Sequence, residues 1–168
     1  MLDRLLPGVS HLQNIHPVGV HFPIGFLLGA TAFYFLAWIV RRETLAWAAF
    51  WMLTAGVVTG AISVATGLYA APGVMVAPSV RENLLVFHKW IMIGVGMFAT
   101  AMLIWALVAR PMPTRARYIF LLGLLVMAAA LARGADYGAQ MVYDYNAGGG
   151  ACQQPIEYTP SGSPIMGP

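Results

Sequence analysis

The sequence predicts an all-α integral membrane protein, a bundle of four transmembrane helices with both termini on the periplasmic side. Of the 168 residues, 60% are apolar and 9% are charged, and the mean hydropathy is +0.73. Soluble domains carry about 25% charged residues, so most of this surface is expected to face lipid. Four apolar runs are long enough to cross a membrane, and arginines gather in the loops on one side of them.

The apolar runs define the predicted domain organisation. Each has about 20 residues, which at about 1.5 Å per residue crosses about 30 Å of hydrocarbon, and a helix satisfies its own backbone there. Residues 1–17 are expected to lie along the membrane surface, with no cleaved signal peptide. The Gly- and Pro-rich residues 146–168 are expected to form a flexible periplasmic tail. Between them lies a membrane domain, 18–145, with predicted helices at 18–40, 47–70, 84–109 and 118–143.

The loop arginines predict the orientation of the bundle. The first and third loops contain five arginines against one acid: Arg41, Arg42, Arg110, Arg115 and Arg117. On the opposite side, acidic residues dilute the basic ones. Because lysine and arginine are retained on the cytoplasmic side, we expect a multi-pass protein of the bacterial inner membrane with both ends in the periplasm.

Composition also limits the chemistry. The single cysteine, Cys152, excludes an internal disulfide and a cysteine-built metal cluster, and no Cys-x-x-Cys-His motif is present for covalent haem attachment. A net charge of +3 without long basic runs argues against nucleic-acid binding. The ten methionines are mostly scattered through the apolar runs, as core residues are. Transport is disfavoured because the helices lack midplane charges.

Histidines near the predicted periplasmic face are the main candidate site residues. The chain contains four of them: His11, His16, His21 and His88. His21 lies 20 residues before Arg41, and His88 lies 22 residues before Arg110, which places them roughly 30 and 33 Å above the arginines. The two rings are therefore predicted at one level on different helices. His16 lies about 140° from His21 around a helix and so off its face.

Two histidines that face each other across a bundle can supply both axial ligands of a haem iron. We therefore expect His21 and His88 to bind one haem b, with His16 close by and Arg133 or Lys89 pairing with a haem propionate. Two alternatives stay open. The histidines could bind another metal or a quinone, or they could have a structural role, hydrogen-bonded to lipid headgroups, water or backbone.

Small residues form one face of the second predicted helix. They are spaced three or four apart: Gly56, Gly60, Ser63 and Gly67. Such a face allows helices to pack closely in a membrane, which is the favoured interpretation. Close approach to a flat cofactor is the alternative.

The segment NIHPVGVHFPI at residues 14–24 resembles the opening signature of a bacterial membrane family, domain of unknown function 2231. The similarity extends to Ala65–Gly67, to His88, and on the fourth helix to Gly134–Gly138 and Met141–Tyr143. The resemblance implies a four-helix membrane protein with no established activity, and the redox contexts of relatives favour haem. Many members carry a histidine where this chain has Tyr145, so any role of that histidine is not carried over.

These features predict an electron-transfer subunit rather than a stand-alone enzyme. Its haem b would exchange electrons with quinol or a periplasmic redox partner. A single haem on the outer half leaves no chain of cofactors across the bilayer, so other membrane or periplasmic redox subunits are expected as partners. The alternative is a cofactor-free scaffold or assembly subunit of a larger complex.

Overall fold

The computed structural model describes residues 15–74, 76–145 and 147, and the part it describes is helical. All four long helices are long and apolar enough to cross a membrane, which confirms the predicted fold class. Their bounds are as follows: α1 begins as His16–Gly19 and continues as His21–Val40, α2 is Glu43–Ala70, α3 is Val86–Ala109, and α4 is Arg117–Tyr143.

All four helices begin earlier than the apolar runs predict, and α3 does so because the helical segments Pro78–Val80 and Arg81–Leu85 precede it without a break. α2 starts at Glu43 because a carboxylate in the first turn is favoured by the helix dipole, and Trp47 Nε1 donates to this carboxylate at 3.2 Å. α1 reaches back to His16. Of the segment 1–17 that is predicted to lie along the surface, residues 1–14 lie outside the described residues, as does nearly all of the tail; His11 and Cys152 are among these residues.

The bundle has two chemically different ends. The arginine end contains the α1–α2 and α3–α4 connections, with Arg41, Arg42, Arg110, Arg115 and Arg117. The histidine end is where α1 and α3 begin and α2 and α4 end. α1 and α3 each pack against both α2 and α4. α1 and α3 therefore lie on a diagonal of the bundle.

Aromatic packing anchors the core toward the arginine end. The Tyr34 and Phe120 rings are fully buried, with centroids 5.0 Å apart in an edge-to-face arrangement. The Tyr34 hydroxyl donates to the Pro111 carbonyl at 2.9 Å, which ties the α3–α4 connection to α1. Large apolar side chains elsewhere remain exposed, among them Trp51 and Val108, as expected of helices that face lipid.

The two helical hairpins, α1–α2 and α3–α4, share one pattern of buried positions. Four buried residues of α1 are matched 72 residues later by buried residues of α3: Pro23, Leu27, Ala30 and Tyr34 by Val95, Ala99, Met102 and Ala106. Five of α2 are matched 71 residues later on α4: Ala49, Phe50, Leu53, Gly56 and Ser63 by Phe120, Leu121, Leu124, Met127 and Gly134. The bundle is therefore built from two copies of one hairpin arrangement.

Candidate functional site at the histidine end

His88, near the start of α3, is held by α4. Its Nδ1 lies 2.8 Å from the Gly134 carbonyl oxygen. Because a carbonyl only accepts, Nδ1 carries the proton and Nε2 carries the lone pair. One turn along α4, a Cβ added to Gly138 would lie 3.1 Å from Cε1 of this ring. The imidazole thus occupies the space that a side chain at Gly138 would need.

His16, at the start of α1, is held by α2 in the same way. Its Nδ1 lies 3.2 Å from Thr66 Oγ1. Thr66 Oγ1 also lies 3.1 Å from the Ser63 carbonyl oxygen. The Ser63 backbone also interacts with this ring. A Cβ on Gly67 would lie 2.7 Å from His16 Cε1.

The two histidine positions are equivalent under the hairpin repeat. In each hairpin the first helix supplies the imidazole, and the second supplies a buried position followed four residues later by a glycine. His16, Ser63 and Gly67 in the first hairpin correspond to His88, Gly134 and Gly138 in the second. Two diagonally placed helices therefore each direct one imidazole into the histidine end.

His21 lies on a different face of α1. It is exposed, and its Nδ1 lies 3.3 Å from the Val18 carbonyl of its own helix. The five-residue spacing predicted that His16 and His21 would not share a face. His16, rather than His21, occupies the position equivalent to His88 in the hairpin repeat.

The Arg133 side chain forms an ion pair with a residue of its own helix, α4. Its Nη1 lies 2.7 Å from Asp136 Oδ2, with the two side chains 58% and 49% exposed. The guanidinium also lies 4.3 Å from the centroid of the Tyr137 ring, and that ring stacks on Phe87 of α3. The Arg133–Asp136 pair therefore lies along one helix, and Tyr137 links it to the next.

Lys89, which follows His88 in the chain, lines a cationic groove. The groove, about 350 Å³ in volume, runs between the end of α2 and the start of α3, and Arg81 and Lys89 line it together with Leu68. Arg81 is fixed there because it donates to the Ala71 carbonyl at 3.2 Å. The Lys89 ammonium lies 5.4 Å from the centroid of the Trp90 ring. Two positive charges thus border the groove beside the histidine pair.

The sequence contained a signal for the His16–His88 pair that counting from the arginines missed. His16 and Gly67 are 51 residues apart, and His88 and Gly138 are 50 apart. This nearly equal spacing between a histidine and a glycine of the following helix is the signal in the sequence.

Within the described residues, no three side chains of His, Cys, Asp or Glu gather as metal ligands. Residues 12–150 match the family described as "Predicted membrane protein (DUF2231)". The chain belongs to this family. The match spans both hairpins and confirms the resemblance noted at residues 14–24. No curated protein and no solved structure matches the chain. DUF2231 membership and the four apolar helices make this a multi-pass membrane protein in contact with the lipid bilayer.

Proposed function

We propose that this DUF2231 protein is a membrane electron-transfer subunit that binds one haem b at the histidine end, with His16 and His88 as axial ligands. One observation carries the proposal. Two imidazoles from diagonally placed helices each form a hydrogen bond through Nδ1 to the neighbouring helix, and the Nδ1–H of His88 donates to the Gly134 carbonyl. Such a hydrogen bond fixes the ring and makes Nε2 a better metal ligand, and two histidines are a complete axial ligand set for haem iron.

Neighbouring residues support the same assignment. Gly67 and Gly138 allow the two rings to pack directly against the neighbouring helices, which holds each imidazole in place. Carboxylates form their strongest hydrogen bonds with cationic donors. Lys89 lines the groove beside His88, whereas Arg133 is already paired with Asp136. We therefore assign Lys89, rather than Arg133, as the partner of a haem propionate.

The ligand set favours electron transfer over catalysis. Two axial histidines leave the iron no open position for a substrate, so the group would accept and return electrons only. The pair lies at one end of the bundle, which suits exchange between quinol and a redox partner on the same side. In the predicted orientation that side is the periplasm, and further redox subunits are the expected partners.

An absorption spectrum tests the proposal. Full-length protein purified from membranes should show the reduced-minus-oxidised bands of six-coordinate haem b. His88→Gly should lose these bands, and added imidazole should restore them, because it can occupy the vacated ligand position. Purified protein without haem, or an unchanged spectrum in His88→Gly, would reject the proposal.

A cofactor-free scaffold is the second candidate, and the same contacts favour it. Each histidine ring bridges two helices and packs against a glycine, which would stabilise a bundle without any ligand. This candidate predicts no visible chromophore. It also predicts that His88→Gly lowers only thermal stability, with no spectrum for imidazole to restore.

A further inference from the structure

The arginine end contains a pocket that haem binding at the opposite end does not use. The pocket is about 510 Å³ in volume and lies among the ends of all four long helices. One acid, Glu43, is part of the lining, and it already accepts a hydrogen bond from Trp47. Four cationic side chains converge on this space: Arg41, Arg42, Arg110 and Arg117. The pocket therefore has an excess of positive charge and of hydrogen-bond donors.

Arg117 gives a specific reason to expect an anion there. Among the described residues, its Nε is buried without a hydrogen-bond partner. Leaving a buried charged donor unsatisfied is unfavourable, and an anion in the pocket that Arg117 lines would offset this cost through the charge of the guanidinium, because no outside atom reaches Nε itself. Arg110 Nε, in contrast, donates to the Leu107 carbonyl at 3.2 Å.

Arg41 gives an independent reason. It is the C-cap of α1 and has a φ of 54°, in the left-handed region. Glycine usually occupies this helix-ending position because a Cβ is disfavoured there. Here an arginine occupies it and lines the pocket. The backbone conformation therefore does not explain the arginine, whereas its position in the lining of the pocket does.

We propose that this pocket binds the phosphate group of an anionic phospholipid. Guanidinium groups match phosphate geometry through paired hydrogen bonds, and basic pockets between transmembrane helices bind lipid headgroups. Apolar side chains, including Trp38 and Met112, line the pocket beside the arginines. A mixed lining of this kind suits a headgroup joined to acyl chains better than free phosphate.

Lipid retention by the full-length protein tests the site. Native mass spectrometry after incubation with equimolar phosphatidylglycerol and phosphatidylcholine should show preferential retention of phosphatidylglycerol. Arg117→Gln should reduce that retention about tenfold, as expected for one lost charged hydrogen bond. Arg115→Gln is the matched control, because Arg115 is exposed in the same loop and is not part of the lining.

The remaining outcomes separate the possible ligands. A phosphate-induced rise in unfolding temperature that Arg117→Gln abolishes, without a lipid preference, would assign the same phosphate chemistry to a soluble anion. Equal loss in Arg115→Gln and Arg117→Gln, or no binding of either ligand, would overturn the proposal.

Arg41→Gly tests the pocket with a variant that is expected to fold as well as the wild type. Glycine suits the left-handed backbone, so this variant should unfold at the same temperature as the wild type or higher while it retains less phosphatidylglycerol. Undiminished retention in this variant would contradict a role for Arg41. The haem spectrum should be unchanged in all three variants, so failure here is distinguishable from failure of the haem proposal.

Discussion

Two glycines determine where the imidazoles can lie. A Cβ on Gly67 would be 2.7 Å from His16 Cε1, closer than any real carbon contact, whereas a Cβ on Gly138 would be 3.1 Å from His88 Cε1. The first ring would have to move, and the second would need to shift by only a few tenths of an ångström. The two equivalent positions should therefore differ in their tolerance of a methyl group.

Alanine substitutions measure this difference. Gly67→Ala should lower the free energy of unfolding by about 1–3 kcal/mol, the usual effect of overpacking, and Gly138→Ala should lower it less. Gly94→Ala on α3 is the control, because a Cβ there meets nothing within 4 Å, and helix propensity alone favours alanine. Thermal unfolding in detergent is the measurement. A Gly67→Ala variant as stable as Gly94→Ala would contradict the packing described.

At the scale of elements, one hydrogen bond ties the α3–α4 connection to α1. Tyr34 is fully buried and donates to the Pro111 carbonyl. Tyr34→Phe keeps the ring against Phe120 but leaves that carbonyl without its donor, so stability should fall by about 1–3 kcal/mol. Tyr118→Phe, at a residue 72% exposed, should change the unfolding temperature little. Equal losses of stability in Tyr34→Phe and Tyr118→Phe would contradict a stabilising hydrogen bond between Tyr34 and Pro111.

The sequence predicted the helices well, and its placement of His21 and His88 at one height stays a prediction. Apolar runs identify membrane helices because lipid demands them. Height was counted from Arg41 and Arg110, yet Arg41 lies 18 residues after buried Pro23, and Arg110 lies 15 after its counterpart Val95. Long arginine side chains reach water from different depths, so they are imprecise markers. The buried pattern aligns His88 with His16 instead.

At the scale of the whole molecule, the repeat explains why the histidine pair was hard to find. Equivalent core positions differ in size, as with Tyr34 and Ala106 or Ala49 and Phe120. Equivalent positions therefore carry side chains of different size, so the repeat appears in burial and spacing rather than in residue identity. Packing of this kind cannot be derived from periodicity alone, because it depends on which helices meet.

Orientation is a prediction that cysteine labelling can check. In a Cys152→Ser background, Asn83→Cys at the histidine end should react with a membrane-impermeant maleimide applied to the periplasmic side. Thr44→Cys at the arginine end should react only after the membrane is permeabilised. Both positions are exposed, so access alone decides the result. The reverse pattern would contradict the arginine-based orientation.

The most direct test of the account compares His16→Ala with His21→Ala in the reduced-minus-oxidised absorption spectrum of the full-length protein. Both replace a histidine near the start of α1, but only His16 is hydrogen-bonded to α2 and equivalent to His88 in the hairpin repeat. We expect the haem b bands to disappear in His16→Ala and to persist in His21→Ala. Bands that persist in His16→Ala and disappear in His21→Ala would contradict the site described.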